Sequence, residues 1–522
     1  MFNELKLWLE RINYKYLFDY FLVVLLALTL FFWLQSSQTL PEPDSFYHAK
    51  VSELLSSGKI LKQLPWLQET NLKDVFVDHH FLYHLLLIPV VSFFNPLVGV
   101  KAATVIFATL LVLIIYWLFK QYHIKWPFIF ICFLLAAQPW LFRISLVKVP
   151  VVFLILMILA FYCLTHQKKI LLFIIAFASV WLYAGWPLIV VMGVLYAILV
   201  KIVKIIRRKH QTNQKLLSPA SELACLGGGI LAGIVINPYF PANLFFYWQQ
   251  FVKIAVINYH RVIGVGGEWY PYGFLKLITD APLICSLLLV GIFVFILTLK
   301  KQSVYSWLWG VLGIAFFLLT LKSRRYVEVY VPFTVIFFAF SLSDFIKSRI
   351  AQKLWLGLSR TWKWTFSLLF SVILLGLIIN IPYDLRTVKK DMEQGFPLNH
   401  YQKASSWLRE NTPLHSVIFH ADWDDFPALF YYNDHNYYLT GLDPTFMYEY
   451  NKEKYWQYVN ITLGSRQIDL GKIIQEQFKA DYVFLDKKHQ TLDNTLKLNP
   501  NFTLLYEDSE SKIYYWQTNL WK

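Results

Sequence analysis

The sequence predicts a polytopic α-helical membrane protein of about eleven spans, followed by a C-terminal extracytoplasmic α/β domain. Of the 522 residues, 57% are hydrophobic, whereas soluble domains are usually about 45–50% apolar. The apolar residues also occur in long runs separated by basic loops, which is typical of multi-pass membrane proteins. A soluble globular enzyme is therefore excluded as a description of the whole chain.

The predicted membrane topology explains the excess of basic over acidic residues in the chain. The formal net charge is +15, and such a charge can indicate nucleic-acid binding. In a multi-pass protein, however, cytoplasmic loops rich in lysine and arginine explain the same excess. We therefore expect membrane lipids, and no nucleic acid, among the partners. The four cysteines all fall inside apolar runs and have no zinc-site spacing, so we expect no disulfides.

Basic residues orient the predicted spans. Lys6, Arg11 and Lys15 precede the first apolar run and place the N-terminus in the cytoplasm. The apolar segment Phe81–Phe94 has about 14 residues, fewer than the ~20 that a crossing needs, so it is interpreted as re-entrant or external. Counting it as a span would place the basic Lys201–Lys215 loop outside. We predict an integral protein of the plasma (inner) membrane.

The predicted spans follow the apolar runs in order, and each odd-numbered span leads outward. Those with two clear ends are Phe18–Leu34, Gly99–Phe119, Trp126–Trp140, Val149–Leu164, Leu223–Ile236, Val327–Leu342 and Thr365–Ile381. The fifth span ends at Ala184, the sixth returns to Lys201, the eighth ends at Lys300, and the ninth leaves at Leu321.

Two domains are predicted. Residues 1–382 form the membrane domain, which includes a large first external loop (35–98), and residues 383–522 form a soluble extracytoplasmic domain. Short helices alternate with apolar strands in the second domain, which predicts a small α/β fold. Its predicted elements are a helix at Tyr401–Glu410, a strand at Ser416–His420, a helix at Ile473–Phe478, and strands at Asp481–Leu485 and Lys512–Trp516.

The segment Leu40–Lys50 carries the clearest chemical signal. Glu42 and Asp44 lie one residue apart, directly after the first span, and flanking prolines disfavour helix around them. Two carboxylates at a bilayer surface can bind a divalent cation or act as a general base. The alternative is an ordinary acidic loop in contact with water.

Arginines lie at the outer ends of other predicted spans. Arg324 and Arg325 follow the ninth span, and Arg143 lies in the loop after the third. Guanidinium groups at a membrane surface suit bidentate contact with the phosphate of a donor. The alternative for the arginine pair is contact with lipid headgroups.

Further polar candidates come from the predicted external loops. Asp78, His79 and His80 precede the re-entrant segment and could hold a metal or a sugar hydroxyl. The alternative is a polar helix start with Asp78 as its N-cap. Glu268 follows a pair of glycines, and the alternative for it is a loop carboxylate beside a turn. Trp423 and Asp424 lie in the C-terminal domain, where the alternative is a turn between strand and helix.

The run Glu42-Pro43-Asp44-Ser45-Phe46-Tyr47-His48 resembles the first-loop acidic motif of the GT-C membrane glycosyltransferases. Within them it looks like the oligosaccharyltransferase catalytic subunits and their bacterial and archaeal relatives. The resemblance implies that Asp44 coordinates a divalent metal, Mg or Mn, and faces the acceptor, with Glu42 and Glu268 assisting. It likewise implies donor-phosphate contacts from Arg324 and Arg325.

Two motifs depart from the pattern of that family. Trp423-Asp424 occupies roughly the position of a longer motif of that family, Trp-Trp-Asp-Tyr-Gly. The longer motif recognises an acceptor serine or threonine. The loop Gln138–Lys148 contains no carboxylate where the family has a second acidic motif, so Arg143 and Lys148 could bind donor phosphate there. The alternative that Asp44 acts as a metal-free base therefore stays open.

These observations predict a membrane glycosyltransferase that moves a sugar or oligosaccharide from a polyprenyl-linked donor to a protein, lipid or glycan acceptor on the external face. No Walker or Rossmann motif is present, which argues against a cytoplasmic nucleotide-sugar donor. The alternative from another class is a transporter or flippase of lipid-linked saccharides. A non-enzymatic envelope scaffold is the third interpretation.

Overall fold

The computed structural model describes residues 14–208, 218–348, 356–357, 359–465 and 469–517. Lys6, Arg11 and part of the Lys201–Lys215 loop, which orient the predicted spans, lie outside these ranges.

Helices make up most of the described chain. Those up to residue 393 are α1 (Tyr14–Gln35), α2 (Asp44–Ser56), α3 (Phe81–Phe93), α4 (Pro96–Gln121), α5 (Pro127–Leu135), α6 (Gln138–Ile144), α7 (Pro150–Thr165), α8 (Lys169–Leu182), α9 (Pro187–Arg208), α10 (Ala220–Val235), α11 (Ala242–Trp248), α12 (Phe274–Asp280), α13 (Pro282–Leu297), α14 (Val304–Lys322), α15 (Val327–Lys347) and α16 (Arg360–Glu393). The later helices are α17 (Gln402–Asn411), α18 (Phe426–Tyr432), α19 (Pro444–Tyr450), α20 (Lys452–Thr462), α21 (Leu470–Phe478) and α22 (Gln490–Leu498). The strands are β1 (Thr39–Leu40), β2 (Phe396–Pro397), β3 (Val417–His420), β4 (Tyr437–Tyr438), β5 (Ala480–Asp486), β6 (Phe502–Glu507) and β7 (Ser511–Trp516).

Several helices are long and apolar enough to cross a membrane. Among the described residues, five meet this test, namely the helices at α1, α4, α9, α14 and α15, and the count rises to seven if each of two bent pairs is one span. The bent pairs are α5 with α6, at 83°, and α12 with α13, at 101°. The apolar helices α3, α7, α8 and α10 are shorter. The number of eleven spans stays a prediction.

The third predicted span is broken. It is predicted as one run from Trp126 to Trp140, but α5 ends at Leu135 and α6 begins at Gln138, with Ala137 extended between them. Pro139 explains the break, because a proline ring clashes with the carbonyl four residues earlier and removes a helical hydrogen bond. As a consequence, Arg143 lies on α6 and not in an irregular loop.

The chain divides into two compact units. The helical unit takes the described residues within Met1–Ser37, Lys101–Ile234 and Tyr270–Glu393. The mixed unit takes those within Gln38–Val100, Val235–Trp269 and Gln394–Lys522. The predicted boundary at residues 382 and 383 falls inside α16, which continues past Pro382 to Glu393.

Aromatic side chains fill the core of the helical unit where α14 packs on α15. The ring of Phe333 lies 5.0 Å from Trp309 and 5.3 Å from Phe316, both in edge-on contact. Trp309 and Phe333 are fully buried. Edge-on aromatic pairs of this kind add to the stabilisation that comes from apolar burial.

A five-stranded sheet organises the mixed unit, with strand order β4-β3-β5-β7-β6. Strand β3 is parallel to β4 and β5, whereas β7 is antiparallel to β5 and β6. The buried core beside it includes Phe419, Val483 and Tyr514 from strands and Ile474 and Leu496 from helices. The helix and strand positions predicted for this segment agree with α17, β3, α21, β5 and β7.

Most of the segment predicted to be the first external loop belongs to the same unit as this sheet. Strand β1 pairs antiparallel with β2, so that Leu40 lies opposite Phe396. Gly395 allows this close approach, because a Cβ atom there would lie 2.2 Å from the carbonyl oxygen of Leu40. Tyr438 of β4 also exchanges backbone hydrogen bonds with the loop, donating to the carbonyl of Trp66 at 2.7 Å and accepting from Gln68 at 2.8 Å. These pairings explain why residues 38–100, which are predicted to lie in the membrane domain, fall in the mixed unit.

Candidate functional site

The acidic motif lies at the start of a helix in the mixed unit. Asp44 is the first residue of α2, and Pro43 occupies the N-cap position. Glu42 and Asp44 are both half-buried. The positive end of the helix dipole favours a negative charge at this position, so Asp44 is stabilised in its ionised form. An ionised carboxylate in a partly water-excluded place can accept a proton or bind a cation.

His48, one turn further along α2, begins a chain of three buried, hydrogen-bonded side chains. His48 Nδ1 lies 2.8 Å from His84 Nε2, and His84 Nδ1 lies 2.7 Å from the Oδ2 atom of Asp78. The exposed fractions are 4% for His48, 0% for His84 and 4% for Asp78. His48 follows Asp44 by four residues on the same helix, so the two residues share one face of α2. We call these three residues the histidine relay.

Hydrogen-bond chemistry assigns the tautomers in the histidine relay. An ionised carboxylate only accepts, so His84 donates through Nδ1 to Asp78. A neutral His84 then accepts at Nε2, and His48 must donate to it through Nδ1.

Removing the carboxylate from the relay is expected to destabilise the mixed unit. Asp78→Ala leaves the Nδ1 proton of His84 buried without its acceptor, which costs about 1–3 kcal/mol in the free energy of unfolding. Chemical unfolding of the purified protein measures the change. The matched control is Asp74→Ala, which removes an exposed aspartate from the same loop. Equal effects of the two substitutions would show that the buried hydrogen bond contributes nothing.

Asp78 does not cap α3, contrary to the alternative interpretation of that segment. The N-cap position belongs to His80, which makes no side-chain cap, and Asp78 Oδ1 accepts a hydrogen bond from the backbone N–H of His80 at 3.0 Å. His79 and His80 are half-buried, with ring centroids 3.8 Å apart. The His80 ring lies 5.4 Å from that of His48. The predicted Asp78, His79 and His80 cluster therefore adjoins the histidine relay.

Glu268 and Trp423 come from distant parts of the sequence and belong to one neighbourhood of the mixed unit. Glu268 is half-buried in a short helical turn, Gly267–Trp269. Gly266 and the Trp423 ring are close neighbours, because a Cβ atom added to Gly266 would lie 3.8 Å from that ring. Asp424 follows Trp423 in a second turn, where its backbone N–H donates to the carboxylate of Asp422.

The three predicted phosphate ligands lie in the helical unit. Arg143 forms an ion pair with Glu328, with 2.9 Å between Nη2 and Oε2, and only 11% and 6% of the two side chains are exposed. Arg325 is half-buried and donates to the Tyr183 hydroxyl at 2.9 Å. Arg324 is exposed, and its Nε atom donates to the carbonyl of Pro271 at 3.3 Å. Arg143 therefore already has a carboxylate counter-ion.

The donor set for a divalent metal is incomplete in the described part of the chain. No group of three or more histidine, cysteine, aspartate or glutamate side chains there is arranged to hold a metal ion. The assignment of Asp44 and Glu268 as metal ligands stays a prediction.

Several site residues escaped sequence reasoning. The pairing of His48 with His84 joins α2 to α3 across 36 positions, which local patterns do not predict. The four-residue spacing of Asp44 and His48 was the available signal, since residues four apart share a helix face. Glu328, near the start of α15, is the ion-pair partner of Arg143. An ionisable residue in an apolar span is itself a signal of a specific partner.

Comparisons with known proteins show similarity at the level of the fold. No protein-family model and no curated protein matches the chain. Among solved structures, an archaeal oligosaccharyltransferase, AglB, from Archaeoglobus fulgidus matches with a TM-score of 0.58 and 13% identity, over 98% of this chain and 75% of that one. The arabinofuranosyltransferase AftD from Mycobacteria matches with a TM-score of 0.55 and 12% identity, over 96% of this chain and 40% of that one. ArnT from Cupriavidus metallidurans matches with a TM-score of 0.52 and 14% identity, over 94% and 97%.

These proteins are GT-C glycosyltransferases, and the similarity to them extends over nearly all of the present chain. Identities of this size show the fold alone. The fold similarity and the long apolar helices agree in one conclusion: the chain is an integral membrane protein with the GT-C glycosyltransferase fold.

Proposed function

We propose that this protein is a membrane glycosyltransferase that transfers a sugar or an oligosaccharide from a polyprenyl-linked donor to an acceptor on the external face of the membrane. The observation that carries the proposal is the placement of Asp44 at the N-terminus of α2 within a GT-C fold. Two of the similar structures were solved with a dolichol-phosphate or with undecaprenyl phosphate, which supports a polyprenyl carrier for the donor.

Asp44 is the proposed general base, and Glu42 is its helper. In the transfer step the acceptor loses a proton to Asp44 while its oxygen or nitrogen bonds to the anomeric carbon of the donor. The bond from that carbon to the lipid phosphate breaks, and the electron pair leaves with the phosphate. A divalent metal, if bound, would offset the charge of the departing phosphate. Because its ligand set is incomplete in the described residues, no step is assigned to it.

The remaining roles follow from the chemistry of each residue. Arg324 and Arg325 are proposed to bind the donor phosphate, since guanidinium groups form paired hydrogen bonds with phosphate oxygens. Arg143, which is paired with Glu328, is a weaker candidate for that role. Trp423 and Asp424 are proposed to contact the acceptor. His79 and His80, beside the histidine relay, are proposed to contact a sugar hydroxyl.

The topology is also part of the proposal. The N-terminus is placed in the cytoplasm of a plasma-membrane protein and the C-terminal segment outside, because the basic loops then lie inside. The acceptor is a protein, lipid or glycan, and the donor carries either one sugar or a whole glycan.

Replacing Arg325 by alanine is expected to weaken donor binding. A hydrogen bond to a charged group contributes about 1.5–3 kcal/mol, so the KM for the donor is expected to rise by roughly 10- to 100-fold. Initial rates at several concentrations of labelled lipid-linked donor measure it. The matched control is Arg409→Ala, because Arg409 is exposed on α17 in the other unit. An unchanged KM for Arg325→Ala would remove this residue from the donor site.

The experiment that tests the proposal is transfer of label from a polyprenyl-phosphate sugar or polyprenyl-pyrophosphate glycan. Membranes that contain the protein are compared with membranes that lack it. Protein-dependent appearance of label in peptide, lipid or glycan products supports the glycosyltransferase. Movement of the intact lipid-linked saccharide across the bilayer without any transfer would instead support the transporter.

A further inference from the structure

A partly open cavity of about 750 Å³, with both polar and apolar lining, lies in the mixed unit beside the β1–β2 pair. This volume is within the range of about 300–1,000 Å³ that small-ligand sites occupy. One edge is formed by Pro41, the residue before the acidic motif. The lining residues used below are Phe396, His400, Asp486, Lys488, Gln490 and Glu510.

One wall of the cavity is aromatic. The His400 ring is stacked on that of Tyr401 at 3.6 Å and lies 4.9 Å from the ring of Phe396. Only 6% of His400 is exposed, so its orientation is set by packing. Aromatic faces carry partial negative charge. They therefore attract the slightly positive C–H groups that cover one face of many sugar rings.

Hydrogen bonds hold the His400 ring and the Glu510 carboxylate in place beside the aromatic wall. The Glu510 carboxylate accepts from His400 Nδ1 at 3.1 Å and from the backbone N–H of Tyr401 at 3.1 Å. Burial lowers the pKa of His400 by more than the Glu510 carboxylate raises it, so the ring is neutral at pH 7. With Nδ1 donating, His400 Nε2 is an acceptor.

The charged groups of the cavity are already paired. Lys488 Nζ lies 3.4 Å from the Asp486 carboxylate, and Lys487 Nζ lies 2.8 Å from Glu507. Burial would raise the pKa of Asp486, but hydrogen bonds from Tyr401 and Lys488 outweigh it and lower the pKa. An anion would gain little here, because each ammonium group has a carboxylate beside it. Uncharged hydroxyl groups, by contrast, can bond to donors and acceptors alike.

The floor of the cavity is held by a buried hydrogen-bond chain. The Tyr401 hydroxyl contacts both Asp486 and Asp425. Burial, together with the nearby carboxylates Asp422 and Asp486, raises the pKa of Asp425 well above its usual value. The Tyr401 hydroxyl lies within hydrogen-bond distance of both carboxyl groups and links them. Asp425 ends the turn that carries Trp423, so the chain connects the cavity to the proposed acceptor motif.

We propose that this cavity binds a neutral saccharide, with a sugar ring against Phe396 in place of the Lys488 ammonium group, which lies 5.7 Å from the centre of that ring, and with its hydroxyls on Asp486, Glu510 and Gln490. The inference goes beyond the proposed transfer reaction, because saccharide binding at this place does not require Asp44 to be catalytic. Phosphate-containing ligands and peptides are the competing classes.

Saturation-transfer NMR and titration calorimetry on the full-length protein in nanodiscs test the proposal without a transfer assay. The probes are maltotetraose, chitotetraose, inorganic phosphate and a serine- and threonine-containing peptide. Gln490→Trp fills the cavity, and Gln402→Trp adds the same side chain to an exposed position of α17. His400→Ala removes part of the aromatic wall.

We expect at least one tetrasaccharide to bind, with its Kd raised by about tenfold or more in Gln490→Trp and in His400→Ala. The Kd is expected to stay unchanged in Gln402→Trp and in Asp44→Asn. Binding of phosphate or peptide alone, or saccharide binding that Gln490→Trp leaves intact, would overturn the proposal. A loss of transfer in Asp44→Asn with saccharide binding retained separates this inference from the proposed reaction.

Discussion

Replacing Asp44 by asparagine is expected to lower the transfer rate by about 10²–10⁴-fold, which is the range that a positioned general base contributes. Asparagine has nearly the same shape and keeps a side-chain oxygen at the start of α2, but it cannot take up a proton. The helix dipole that stabilises the carboxylate would still be present. The fold should therefore survive, and the loss should fall on kcat and not on expression.

The assay uses membranes with a labelled polyprenyl-linked sugar and equal amounts of wild type and variant. Asp74→Asn is the matched control, since it makes the same change at an exposed position of the same loop. A chelator arm, together with Glu268→Gln, tests the predicted metal. Chelator-sensitive transfer that also falls in Glu268→Gln would support metal binding by Asp44 and Glu268. Equal transfer by Asp44→Asn and wild type would remove Asp44 from catalysis.

Replacing Glu328 by alanine is expected to give the largest change in stability. The substitution leaves the Arg143 guanidinium, of which 11% is exposed, without its counter-ion. Removing one partner of a buried ion pair typically costs about 3–5 kcal/mol, because the charge that remains is uncompensated. We expect a correspondingly lower midpoint of thermal or denaturant-induced unfolding in detergent.

The double variant Arg143→Met/Glu328→Met sharpens this prediction. Replacing both charges by apolar groups is often close to neutral, so most of the lost stability should return. Glu393→Ala is the control, because its pair with Lys389 is at the surface, with 56% of the glutamate exposed, and such pairs contribute about 0–1 kcal/mol. If Glu328→Ala and Glu393→Ala shift the midpoint equally, the Arg143–Glu328 pair is not stabilising.

The sequence by itself determined the class of the protein and the local elements. Runs of apolar residues predict membrane helices without reference to any other part of the chain, because the bilayer selects for length and hydrophobicity. The same holds for α17, β3 and β5, whose patterns are local. The acidic motif of Glu42 and Asp44 was readable for the same reason, since its residues are adjacent in the chain.

Only the tertiary structure decided which distant residues meet. The pairing of β1 with β2, of His48 with His84, and of Arg143 with Glu328 joins residues that are 36 to 358 positions apart. Such contacts depend on how elements pack in space, and local sequence patterns do not encode that. Residues 38–100, which are predicted to form most of the first external loop, belong to the mixed unit because backbone groups there pair with residues 396 and 438. The cavity beside the β1–β2 pair likewise arises from side chains brought together from separate turns and strands.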